Sequence, residues 1–185
     1  MNVSPSIKTC HPARGLLRLN GVGLWILSAL LLLAGCATKG PGPTRARAIH
    51  IELDPALKNQ SVLVDLVGVN EANAARWKAY SMTKYWSDGD PMRADATKWT
   101  ANFISQPSLV RTLAVSDPIW KQWQGDAYVF VLADLPGKFA DQPGAQDPRR
   151  QILPLFKSAW PGGTKELKVR VQQSGITVVT PLRVQ

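Results

Sequence analysis

Downstream of residue 35 the chain holds one histidine, His50, so a Ser-His-Asp or Cys-His nucleophile in that part has to be built around it. His50 alternates with Ile49 and Ile51 in a period of two, which places it on the polar side of a strand and predicts an exposed structural role. Zinc requires three or four Cys, His or carboxylate ligands, and the supply is too small. Asp88, Asp90 and Asp95 gather carboxylates in one short stretch, the oxygen-rich arrangement that hard cations take. Pro91 follows Asp90 directly and no glutamate closes the stretch, so a solvated turn is expected there instead of a calcium loop. A glycosidase-type carboxylate pair is defined by separation in space, and no Gly-rich phosphate loop is present. The expectation is a protein that is not an enzyme and carries no cofactor or metal.

The one cysteine with an evident use is Cys36. Lys8, Arg14 and Arg18 precede it with no acidic residue in the first 36 positions, and an apolar stretch runs from Leu24 to Gly35. That order is the order of a secretory signal. Twelve residues fall short of the roughly 20 that span a bilayer. The stretch ends Leu33, Ala34, Gly35, Cys36, which resembles the lipobox of bacterial lipoproteins, where lipid joins the cysteine sulfur before cleavage. The resemblance implies removal of residues 1–35 and acylation of Cys36, with two or three acyl chains forming a lasting membrane anchor. Ala37 stands where an aspartate would signal inner-membrane retention, so the outer membrane, facing the periplasm, is the expected location. Cys10 falls in the removed part and leaves the mature chain without an intramolecular disulfide.

The formal charge is +9, of which Lys8, Arg14 and Arg18 supply three, leaving +6 for the mature part. In an envelope protein such a balance points to anionic headgroups or an acidic partner surface and not to nucleic acid. Residues 38–48, "TKGPGPTRARA", lack any hydrophobic period and are expected, with Cys36 and Ala37, to form a flexible tether over 36–48. A single domain over 49–185 would follow, large enough for a real core.

Within that domain Ile49, Ile51 and Leu53 alternate as a half-buried strand, "DPALKNQ" interrupts as a loop, and "SVLVDLVGV" (61–69) resumes as a second strand. "EANAARWKAY" (71–80) predicts a helix with Trp77 and Tyr80 on one side. "SDGDPMRADA" is expected as a polar loop and "TKWTANFI" as a strand; a two-turn helix with Ser116 as N-cap would carry Trp120 and Trp123 on one face. "DAYVFVLA" (126–133) is almost continuously apolar and so predicts a central strand. Strands over 150–156, 165–172 and the final "ITVVTPLRV" complete a set of seven or eight, the pattern of an all-β antiparallel sandwich with two short helical additions. Trp86 and Trp160, beside Ser-Asp-Gly-Asp and Pro-Gly-Gly segments, are candidates for exposed anchors, while the other tryptophans of this part are expected in the core.

"IHIELDPALKNQSVLVDLVGV", "YVFVLADLPGKF", "DPRRQILPLF" and "KELKVRVQQSGITVV", taken with the lipobox, resemble the TssJ family of type VI secretion outer-membrane lipoproteins. Arg149-Arg150 stands where the family tends to have Trp-Arg. The resemblance implies a transthyretin-like or Ig-like sandwich that binds the periplasmic part of an inner-membrane partner, TssM, through the loop between its first two strands. Carried onto this chain, that loop is Asp54, Pro55, Ala56, Leu57, Lys58, Asn59 and Gln60, with Leu57 entering a pocket of the partner and Lys58 meeting an acidic rim. Two other readings compete. A small-molecule or glycan-binding lipoprotein would show a concave pocket lined by Trp86, Trp99 or Trp160, and an envelope hydrolase would bring two carboxylates together in a cleft.

Overall fold

The computed structural model describes residues 43–104 and 106–183. The expected signal segment, Cys36 and the start of the tether lie outside the described residues. Among the described residues eight strands form two four-stranded sheets: β1 (Ala48–Leu53), β2 (Leu63–Val69), β3 (Lys98–Asn102), β4 (Val110–Leu113), β5 (Tyr128–Asp134), β6 (Arg150–Pro154), β7 (Glu166–Gln172) and β8 (Gly175–Val178). The order is β4-β1-β7-β8 in one sheet and β3-β2-β5-β6 in the other. Alternation decides what each strand buries. Ile49, Ile51, Leu53, Leu167, Val169 and Val171 project from the first sheet into the same core as Val64, Leu66, Val129, Val131 and Leu153 from the second.

β2 and β5 are buried on both faces, which explains their nearly unbroken apolar sequence. Their odd and even positions serve different cores: Val67, Val69, Phe130 and Leu132 point away from the sandwich and pack under a layer of short helices. These are α1 (Glu71–Ala79), α2 (Met82–Tyr85) and α3 (Pro91–Asp95), which contribute Trp77, Met82, Tyr85 and Met92. Each helix opens on a side chain that accepts from a backbone amide three residues on: Asn70 from Asn73 at 3.0 Å, Ser81 from Lys84 at 3.0 Å, and Asp90 from Arg93 at 2.8 Å. A fourth helix, α4 (Ile119–Gln122), places the Trp120 and Trp123 rings edge to face, 5.1 Å apart.

The two sheets form the expected all-β, largely antiparallel sandwich, and four details within it differ from the sequence expectation. The sheets are not purely antiparallel, because β1 runs parallel to β7, with Ala48 opposite Glu166 and Leu53 opposite Val171. The described residues hold four α-helices instead of two, and the expected loop at 87–96 contains α3, started by the Asp90 cap and by Pro91 at its first turn. The helix after Ser116 is instead held by Asp117, whose carboxylate accepts from the Ile119 amide at 2.9 Å. Finally, the tether does not extend to residue 48. Thr44 bridges Phe156, the Arg45 amide donates to the Leu155 carbonyl at 3.0 Å, and Ala48 already belongs to β1.

Candidate functional site

His50, on β1, faces out of the first sheet between β4 and β7. Its Nδ1 lies 2.9 Å from Thr112 Oγ1 and its Nε2 lies 3.4 Å from Glu166 Oε2. Hydroxyl, imidazole and carboxylate thus follow one another in the order of a triad. A triad also needs donors for an oxyanion. β1 is laddered on both sides, to β4 and to β7, so its amides are committed to neighbouring strands. The histidine is half-buried on a flat sheet face and bridges three strands.

On the helix side of the second sheet, Asp65 and Asp90 are held by structural partners. Asp65, fully buried on the helix side of β2, accepts from Thr100 Oγ1 at 2.6 Å, Tyr85 Oη at 3.0 Å and Arg93 Nε at 3.0 Å. Burial, and then the Asp65 charge, push the Tyr85 phenol well above its ordinary range, so it stays a donor. Arg93 lies 4.3 Å above the Trp86 ring centre, so Trp86 is half-covered by a cation. Asp90 accepts from Tyr80 Oη at 2.6 Å besides capping α3, whereas Asp88 and Asp95 are exposed.

Arg149 and Arg150 occupy the most polar part of the interior. Arg149 grips Asp147 through Nε and Nη2, at 3.0 and 2.9 Å, and reaches Asp141 at 2.6 Å. Asp141 in turn accepts from the Thr83 amide and from the Ser81 hydroxyl, which ties the 135–149 segment to α2. Burial raises the Asp147 carboxyl, but donors from the Arg149 side chain, the Arg149 amide and the Gln142 amide outweigh it and hold the group below the ordinary carboxylate range. Arg150 is 0% exposed and donates to four carbonyls: Gly144, Trp77, Tyr80 and Gln142. Trp77 and Tyr80 end α1, so this guanidinium satisfies the carbonyls that a helix leaves open at its C-terminus and complements its dipole.

The seven residues of the β1–β2 loop form a compact shelf. Asp54 accepts from the Ala56 amide at 2.9 Å, Pro55 opens a 3-10 turn (Pro55–Leu57), and the Lys58 and Gln60 amides donate back to Pro55 and Leu57. Leu57 is 0% exposed and belongs to the sandwich core. It therefore fixes the loop from beneath and does not project toward a partner, which corrects the expectation for that residue. Pro55, Ala56, Lys58, Asn59 and Gln60 face solvent, and Asp54 is half-buried. Lys58, Asn59, Gln60 and Ser61 border a groove of about 330 Å³ with Ile104. Ile104 is 39% exposed, and Val110, opposite Glu52 at the same end of the sandwich, is 47% exposed.

Trp160 also departs from expectation. It is 1% exposed, packs in the core and donates its Nε1 to the Pro154 carbonyl at 2.7 Å, so it is no surface anchor. Trp77 and Trp123 are core residues, and Trp99 and Trp120 pack against the core from its edge. The shelf's apolar flank was beyond sequence reasoning, because Ile104 comes to it from the turn after β3 and Val110 from β4.

No protein-family model matches the chain, and comparison with curated protein sequences finds no match. Among solved structures the chain is similar to TssJ1, a type VI secretion lipoprotein of Pseudomonas aeruginosa, at 12% identity and a TM-score of 0.44, over 77% of this chain and 99% of that one. It is similar at the same identity and TM-score to Serratia marcescens Lip, a membrane-bound component of the type VI secretion system, over 75% of this chain and 99% of that one.

Proposed function

We propose that this chain is a lipid-anchored interaction module of the bacterial envelope, the lipoprotein component of a type VI secretion membrane complex, whose 54–60 shelf docks the periplasmic part of an inner-membrane protein. The observation that carries this reading is the position of the shelf. β1 joins the segment at 43–47 directly to Asp54, so the first described residues and the shelf lie at opposite ends of one six-residue strand, roughly 20 Å apart. A module that links a membrane to something beyond it needs its binding surface at the far end from its anchor.

The shelf is also preorganised. Its backbone is closed by internal hydrogen bonds and its one large apolar side chain is consumed by the core, so little conformational freedom is lost on docking. Lys58 supplies charge, and Ile104 and Val110 supply apolar area beside it. An acidic partner surface with an apolar centre is the complement.

The test is affinity capture of the inner-membrane partner from detergent-solubilised envelopes by the wild-type full chain and by Ala56→Asp/Lys58→Glu. Capture should fall at least tenfold while the thermal unfolding curve stays unchanged. Undiminished capture by the folded variant would overturn the docking surface. Leu57 is unsuitable for this purpose, because a polar residue there disrupts the core.

A further inference from the structure

The parallel pairing of β1 with β7 has a local result at the opposite end from the shelf. The segments that lead into these two strands, residues 43–47 and 161–165, come to lie side by side. They enclose a cleft of about 400 Å³ whose other boundaries are the 3-10 turn Lys157–Ala159, the buried edge of Trp160 and Arg183. The cleft is firmly built. The Lys157 amide donates to Pro43, the Thr164 amide closes a turn onto Pro161, and the Arg183 amide donates to Ala159 at 2.9 Å. Gly163, at φ 87°, supplies the left-handed residue in that turn.

Arg45, Arg47, Lys157, Lys165 and Arg183 all line it, and among the described residues no aspartate or glutamate does. Arg47 is the informative member. It is 3% exposed, yet among the described residues its side chain makes only long hydrogen bonds to carbonyls: 3.3 Å to Leu155, 3.4 Å to Thr164 and 3.5 Å to Arg45. Among the described residues no carboxylate lies within ion-pair range of it. The other buried arginines are treated differently: Arg149 holds two carboxylates, and Arg150 is saturated by four carbonyls at 2.5 to 2.9 Å. A buried cation with no counterion among the described residues, ringed by four more cations, is unfavourable by itself and becomes favourable when an anion completes it. Burial and the neighbouring Arg45 both work against the Arg47 charge, consistent with a missing counterion.

We infer that this cleft is a binding site for a phosphate ester, and that the ester is the headgroup of an anionic phospholipid. Forked guanidinium groups match tetrahedral phosphate oxygens, and lysines at the rim add charge. The volume exceeds what one inorganic anion fills and suits a phosphate bearing a small organic group, with the exposed Pro43 and Pro161 rings as its apolar bed. The choice of lipid as the source rests on the lipid-anchor reading above, because Pro43, seven positions after Cys36 in sequence, lines this cleft; the phosphate site itself does not depend on that reading.

The experiment is native mass spectrometry of the full chain in mild detergent, titrated separately with phosphatidylglycerol, phosphatidylcholine and glycerol 3-phosphate. The expected result is a single phosphatidylglycerol adduct, at least tenfold weaker in Lys157→Glu/Lys165→Glu, whose exposed substitutions leave the fold intact, and retained in Arg76→Glu/Lys138→Glu, which makes the same charge change elsewhere. Arg47→Met should abolish it if that variant folds. Equal binding of phosphatidylcholine, or equal loss in both double variants, would overturn the site. Glycerol 3-phosphate binding as tightly as the lipid and displacing it would support the phosphate site and overturn the lipid as its source. Failure of partner capture by the shelf, with lipid binding intact, would sink the docking proposal alone.

Discussion

Replacing Arg150 by Met removes one side chain and leaves four carbonyls to account for. The guanidinium donates to Gly144, Trp77, Tyr80 and Gln142, and of these Gly144 also accepts from the Asp147 amide, at 3.4 Å. Three carbonyls are therefore left wanting a donor. A buried polar group that loses its partner costs about 1–3 kcal/mol, so the gross loss is roughly 3–9 kcal/mol. Against this, the variant no longer desolvates a charge, a relief of several kcal/mol, and the methionine refills part of the space with apolar contact. The net expectation is destabilisation by about 3 kcal/mol, a large share of the 5–15 kcal/mol typical of a domain. At about 2–4 °C per kcal/mol, Tm should fall by roughly 6–12 °C. Urea unfolding followed by tryptophan fluorescence reads this directly, with the slope unchanged and the midpoint lowered. Arg150→Lys should recover only part of the loss, because a single ammonium cannot reach carbonyls spread around a planar fork. A stability within about 0.5 kcal/mol of the wild type for Arg150→Met would refute the reasoning, since it would mean the carbonyls never needed the guanidinium.

Asp147 sets an acid limit. Its folded carboxyl titrates below the unfolded value of about 3.9, so its contribution is fully present above that pH and is lost as pH falls through the folded value. Asp141, held down in the same way against its own desolvation by Ser81, Thr83 and Arg149, adds to the slope. Asp147→Asn should flatten the fall in stability below about pH 4 while lowering stability at neutral pH, as measured by urea midpoints across pH. A variant with the wild-type acid slope would contradict the assignment. Gly68 in β2 faces the Trp123 indole and the Asp126 carboxylate so closely that a Cβ would overlap both, and Trp123 is pinned by its 3.0 Å bond to Thr97. Gly68→Ala should therefore cost about 1–3 kcal/mol and shift the tryptophan emission; an unchanged spectrum and stability would show that the indole can yield.

Much of the sandwich was legible because it rests on local alternation. β1, β5 and β7 announce themselves by period two or by continuous apolar character, and "DPALKNQ" is a loop for reasons of turn chemistry alone. β4 was not legible: "VRTL" is four residues on the edge of a sheet, with only Leu113 fully buried, and its pattern is too short to distinguish from a turn. α3 carried its own signal, an Asp-Pro start, which the surrounding polar residues obscured. The parallel register of β1 and β7 joins residues more than a hundred positions apart, and no local period encodes it. The same holds for the sites. Loop 54–60 could be found by sequence, but the inward turn of Leu57, the burial of Trp160 and the saturation of Arg150 depend on which surfaces the tertiary fold brings together. Arg149-Arg150, seen in sequence only as a departure from a family pattern, is the polar keystone between helices and sandwich.

β1 sits between β4 and β7, hydrogen-bonded along its length to both, and its two ends lead to the cleft and to the shelf. Tension applied upstream of Pro43 and resisted at residues 54–60 therefore runs along the axis of this strand. β1 is already extended, so its covalent backbone carries that load from one end to the other, while the ladders on both sides hold the strand in place. The two points where a membrane and a partner would pull are thus joined by one short span of chain that has no slack left to give.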